Sequence, residues 1–176
     1  MIQEENMSLK FKSSDTVIYG GQGVCTLQEI CEKDFGGEAK TYYVLRPAFS
    51  GSSVFYVPTD SEPLTAKMRL LKSADEICRI ANGTEIFEWI DDDRPRQNFF
   101  KKILDGGSTE TLVSAFKLLC IKQKEYALED RKLRAADEKI LRDMERLLLE
   151  EFSFAFEIEK GDIEPFLFGE KELNCK

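Results

Sequence analysis

The segment Glu88-Trp89-Ile90-Asp91-Asp92-Asp93-Arg94-Pro95-Arg96-Gln97-Asn98-Phe99-Phe100-Lys101-Lys102 holds the only tryptophan of the chain, three consecutive acids and four cations. A large indole beside separated cations suits a surface anchor. Trp89 would supply apolar contact, and Arg94, Arg96, Lys101 and Lys102 would meet phosphates. The same residues allow a second reading, in which Trp89 fills a local core and Asp91 to Asp93 cap a helix starting near Pro95. The three aspartates also invite a metal-ligand or paired-carboxylate reading. Adjacent residues on one segment point in different directions, however, and the remaining ligands of a Mg²⁺ or Zn²⁺ site are missing from the pattern. The chain has no histidine, which removes the usual general base, the usual Ser or Cys triad partner and the commonest metal ligand. No enzyme, metal or cofactor is expected.

Two kinds of element must position this segment. The first third is strand-like. Thr16-Val17-Ile18-Tyr19 is β-branched and aromatic and is closed by Gly20-Gly21-Gln22-Gly23, which lacks the Lys-Ser/Thr of a phosphate loop and reads as a turn. Gly23 to Asp34 forms a second strand, Phe35-Gly36-Gly37-Glu38 a hairpin turn, and Thr41 to Arg46 the strongest strand. Ser50-Gly51-Ser52 turns the chain into Ser53 to Val57, which Pro58 ends. Short strands with tight turns predict a small SH3/Tudor-like β-barrel whose rim strands a partner completes. Residues 1–9 read as a loose end, and Thr59 to Thr65 as a linker permitting movement between two domains, 1–65 and 66–176.

The second domain is predicted to be all helical, making the fold class α+β. Ser73-Ala74-Asp75-Glu76 has capping-box spacing and Asn82-Gly83 stops that helix. A helix from about Pro95 to Leu104 and another from Ser108 or Thr109 follow. Arg131 to Glu157 is expected to be the longest helix, its mixed charges forming a solvated face, with a short turn at Asp162 to Leu167 packing back.

Composition limits the function classes. The net charge is −8, from 25 basic and 33 acidic residues, which argues against coating nucleic acid by charge alone. No apolar run approaches the roughly 20 residues of a membrane span. The start of the chain lacks the apolar region of a secretory signal. Cys25, Cys31, Cys78, Cys120 and Cys175 form no C-x-x-C pair, which fits reduced thiols in a cytoplasmic protein. No apolar stripe is left over to demand a dimer, so a monomer is expected.

Barrel, proline-bearing linker, helical domain and a tryptophan near its start, in that order, resemble the CarD-like transcription regulators. Their N-terminal module is shared with the RNA-polymerase-interacting domain of the transcription-repair coupling factor. The likeness runs through Phe11, Asp15 to Tyr19, Gly23-Val24, Ile30, Gly37-Glu38, Tyr42 to Leu45 and Val57-Pro58. It continues in Trp89, Arg94, Phe100, Leu104, Gly106, Leu119, Ala136, Leu147, Leu148 and Glu151-Phe152. The resemblance implies that the barrel binds the RNA polymerase β subunit, through Lys33, Arg46, Phe55 and Tyr56. Tyr56 stands where better-known members are basic, so the contact is expected to be more aromatic and less ionic. It implies further that the helical domain lies at the upstream edge of the transcription bubble, with Trp89 in the minor groove and Arg94, Arg96, Lys101 and Lys102 on the backbone. Docking on polymerase would let a weak, sequence-tolerant DNA contact suffice. The alternative is an adaptor that adds a strand through its barrel and touches no DNA.

Overall fold

The computed structural model describes residues 9–49 and 51–176, so most of the expected loose end, and Ser50 of the second turn, lie outside the described residues. The strands are β1 (Thr16–Tyr19), β2 (Val24–Asp34), β3 (Ala39–Pro47) and β4 (Phe55–Pro58). Next come the short helix α1 (Glu62–Thr65) and strand β5 (Met68–Leu70). The interval read as a linker is thus occupied by α1. The chain then returns to the sheet, with Val17 opposite Leu70 and Tyr19 opposite Met68.

The five strands form one antiparallel sheet in the order β4-β3-β2-β1-β5. Alternation decides what faces inward. Val17, Cys25, Leu27, Tyr43, Leu45, Val57 and Met68 share one face and enclose a core with Phe11. A register shift between Leu27 and Glu29 bends the long strand β2, as a bulge does, and helps wrap the sheet into its small barrel. At the β2–β3 hairpin Asp34 Oδ1 accepts hydrogen bonds from the N–H groups of Gly36 (2.9 Å) and Gly37 (2.6 Å). These donors hold the Asp34 carboxyl below its ordinary range.

The remaining helices are α2 (Ala74–Gly83), α3 (Asp93–Gly106), α4 (Thr109–Leu128) and α5 (Ala135–Phe152). They are followed by β6 (Phe156–Glu157), α6 (Ile163–Leu167) and β7 (Asn174–Cys175), the two strands pairing with each other. The capping box forms as expected: Ser73 Oγ accepts from Glu76 N–H, and the Glu76 carboxylate accepts from Ser73 N–H at 2.9 Å.

Expectation and structure part over helix length. The longest helix is α4, at 20 residues, and α5 has 18. The stripe from Arg131 onward does not start α5, because Asp130 takes a left-handed φ of 53° and Arg131 N–H closes back on the Tyr126 carbonyl. Neither does α5 reach Ala155, since Phe156 is already paired with Cys175. Helix α4 is buried all round from Leu112 to Cys120. A helix surrounded by neighbours carries no one-sided pattern to reveal its rank.

Barrel and helices are locked together. Ile18, on the outer side of β1, packs near Ile103, Leu104, Leu112 and Leu147. Beside it the fully buried Glu151 receives both terminal nitrogens of Arg69, at 2.8 and 2.9 Å, the Lys72 N–H at 3.2 Å and the Thr109 hydroxyl at 3.1 Å. Glu150 accepts from Val24 N–H at 3.1 Å and pairs with Arg146, whose other arm donates to the Gly21 carbonyl at 2.9 Å. Gly20, at φ 46°, leaves no room for a side chain against the Asp105 carbonyl, so glycine is what lets the β1–β2 turn reach α3. These bonds span the junction across which inter-domain movement was expected.

Candidate functional site

Two surfaces carry the residues singled out from the sequence. The first is the outer face of β2, β3 and β4. Cys31 opposes Tyr42 and Lys33 opposes Lys40, while Val44 opposes Tyr56. Lys33, Tyr42, Arg46 and Tyr56 therefore point away from the barrel core. Phe35 folds over from the hairpin, 62% exposed, with its ring centroid 5.2 Å from both Tyr42 and Tyr56. Lys33 Nζ lies 5.1 Å from the Tyr56 ring, a cation–π distance. Arg46 Nε donates to Gln28 Oε1 at 2.8 Å, which orients the guanidinium along the sheet.

The structure thus brings three of the expected barrel residues, Lys33, Arg46 and Tyr56, onto one face. It does not place Phe55 there. One residue along the strand reverses the side chain, so Phe55 packs on the barrel core beside Tyr19, 5.9 Å away. Phe35 and Tyr42 were missed. A phenylalanine in a polar glycine turn was the available signal, because a turn offers it no core to enter. Among the described residues strand β4 pairs only with β3, which leaves its other edge as a sheet edge.

The second surface is built around Trp89. Thr84 to Asp92 runs without helix or strand between α2 and α3 and is tied to α4 by Phe87 N–H donating to Ser114 Oγ at 3.0 Å. Trp89 is half-buried against the helical core and meets Tyr126 edge-on at 6.3 Å. Arg96 Cζ lies 4.5 Å from the centre of the indole and Lys122 Nζ 5.7 Å, while Arg131 lies 4.4 Å from the Tyr126 ring. Cations and aromatic rings alternate through the cluster.

Arg96 is not placed to meet a phosphate. It is 3% exposed, and its Nη2 pairs with Asp137 at 2.8 Å and Asp93 at 2.6 Å. Its Nη1 donates to the carbonyls of Ile90 and Asp91 at 2.9 and 2.8 Å. Burial works against its charge, but hydrogen bonds to Asp137 and Asp93 outweigh it and hold the pKa above its ordinary value. The reason is helical geometry. Arg94 and Arg96 are two positions apart, about 200° around a helix, so only one of them can face outward. Arg94 does, and Lys101 is seven positions on, along almost the same line and about 10 Å away. Lys102 stands beside Lys101, and none of the three has an ion pair among the described residues. The acids divide as well. Asp92 sits at the N-cap position of α3 without a side-chain cap bond, and Asp93 is held between Arg96 and Arg134.

Residues 11–70 match the family model of the CarD-like/TRCF RID domain. The match closes at Leu70, the last residue of β5, so it covers the sheet and its seam. This unit is therefore a CarD-like RNA-polymerase-interacting domain, and its presence supports a transcription-related protein. Domains of this family are interaction modules. No curated protein matches the chain.

Proposed function

We propose that the protein is a transcription regulator that docks on the RNA polymerase β subunit through the outer face of β2, β3 and β4 and acts on open-complex formation through its helical unit. The observation that carries this reading is the exposed pair Phe35 and Tyr56, packed over the buried Tyr42 and flanked by Lys33, set on a domain of the RNA-polymerase-interacting family. Aromatic residues with a flanking cation are the usual anchors of a protein interface. The open edge of β4 beside them suits addition of a polymerase strand. Phe55, facing the core, supports the strand from within.

On the helical unit, Arg94, Lys101 and Lys102 form the backbone-contacting row, and Trp89 supplies an apolar edge against the upstream DNA. Arg96 belongs to the support of Trp89. Trp89→Ala is expected to abolish the effect on open-complex lifetime while leaving polymerase affinity within about twofold, because Trp89 is packed on the helical unit and takes no part in the docking face of the barrel. Promoter-opening assays and polymerase binding with the full chain check this. Equal loss of both would remove the DNA role.

Tyr56→Ala combined with Phe35→Ala is expected to weaken polymerase binding roughly thirtyfold or more, the effect of losing about 2 kcal/mol at an interface hot spot. The variants remove half-exposed rings and should melt near the parent temperature. Unchanged affinity in both would sink the docking face. A second reading, an adaptor without DNA contact, is favoured by one observation: Trp89 is already engaged by Arg96, Lys122 and Tyr126. Salt-insensitive action in the polymerase complex would select it.

A further inference from the structure

We propose that RNA polymerase, seated on the outer face of β2, β3 and β4, also closes over Phe49 and Phe154, so that one partner bridges the barrel and the helical unit; this extension rests on the docking reading above. Phe49 follows the end of β3 and Phe154 stands in the turn after α5, yet their rings meet edge-on at 5.8 Å across the junction. Neither ring joins either hydrophobic core. Phe49 is 53% exposed and Phe154 45%. Two large rings left half in water bury little apolar surface in the free chain, whereas aromatic anchors that a partner covers are the usual hot spots of an interface.

Both rings are carried by tied backbone. Ala48 N–H donates to the Val24 carbonyl at 2.8 Å and Val24 N–H donates to Glu150 Oε2 at 3.1 Å, which fastens the end of β3 to α5 through β2. Across the junction, Ala155 N–H donates to the Phe152 carbonyl at 3.0 Å, and Lys176 Nζ donates to the Ser153 carbonyl at 2.6 Å. An anchor already in place gives up little conformational entropy when a partner covers it. Sheet topology points to the partner. In the order β4-β3-β2-β1-β5, the helical unit takes the outer side of β1 and β5 through Ile18 and Arg69. The outer side of β2 to β4 therefore runs up to the helical unit, and Phe49 and Phe154 stand where the two meet. Tyr42, Val44 and Arg46 face outward in succession along β3, and Phe49 comes three residues later. From Tyr42 to Phe49 the chain advances seven residues, at most about 23 Å. A standard interface covers about 800 Å² of each partner, a patch about 30 Å across. A body held by Phe35 and Tyr56 thus reaches the pair within one interface of ordinary size.

Hydroxyl-radical footprinting of the full, unaltered chain with purified RNA polymerase reads each ring directly. Polymerase should protect Phe49 and Phe154 together with Phe35 and Tyr56. Protection of Phe35 and Tyr56 while Phe49 and Phe154 stay reactive would overturn the bridging contact and leave the docking face standing. Undiminished reactivity at all four would remove the docking face itself, and the bridge with it. Phe49→Ala and Phe154→Ala should each weaken polymerase binding about tenfold, as loss of an interface anchor does. Leu128→Ala, on an exposed leucine at the end of α4, should change nothing. Parent-like affinity in both phenylalanine variants would likewise overturn the proposal.

Discussion

Glu151→Ala should lower the unfolding free energy by about 3–5 kcal/mol, the cost of stranding one partner of a buried ion pair. Glu151 has no exposed surface and collects the Arg69 guanidinium, the Lys72 N–H and the Thr109 hydroxyl. Removing the carboxylate leaves all of these donors facing a cavity between barrel and helices. Urea denaturation of the full chain measures the loss. Glu151→Gln should cost less, since it keeps an acceptor for Lys72 and Thr109. The change should reach function too. On the proposed function the barrel sets the angle at which the helical unit meets DNA, so a loosened junction should reduce the promoter effect even where polymerase binding survives. A variant as stable as the parent would mean that Glu151 does not hold the two units together.

Arg96→Ala should cost a similar 3–5 kcal/mol, because Asp137, only 1% exposed, would be left buried without its partner. Its second consequence is local. Arg96 ties the Ile90 and Asp91 carbonyls to α3 and lies over the indole, so its loss frees the segment carrying Trp89. Trp89 is the only tryptophan, which makes its fluorescence an unambiguous reporter. Emission should shift to longer wavelength in the native state as water reaches the ring. An unshifted spectrum would show that Tyr126 and Lys122 position Trp89 without help. Arg96 and Glu151 are joined to different parts of α5 and share no partner, so the two losses should add. Their sum approaches the whole stability of an ordinary domain.

The strands and turns of the barrel were legible because each rested on a local rule. Paired glycines at Gly36-Gly37 forced the hairpin, and alternation in Thr41 to Arg46 marked β3. Strand β5 was not legible. Its three residues gain their conformation from pairing with Val17 to Tyr19, which lie far away in sequence. The row Arg94, Lys101 and Lys102 could be found from its cations, but the opposite fate of Arg96 depended on which side of α3 meets α5. Phe49 and Phe154 carried no signal, since nothing in their own neighbourhood announces that one ring will stand against the other.

By itself the amino-acid order determined the class of fold, the turns and caps, the family resemblance and the residues able to anchor or to meet phosphate. These follow from short-range sterics, hydrogen bonding and periodicity, which act within a few residues. Only the tertiary structure decided which side each residue faces and what it meets there. It joined Glu151 to Arg69, withdrew Arg96 to Asp137 and laid Phe35 on Tyr56. Burial and charge pairing are properties of packed surfaces, and packing joins residues that the chain itself keeps apart.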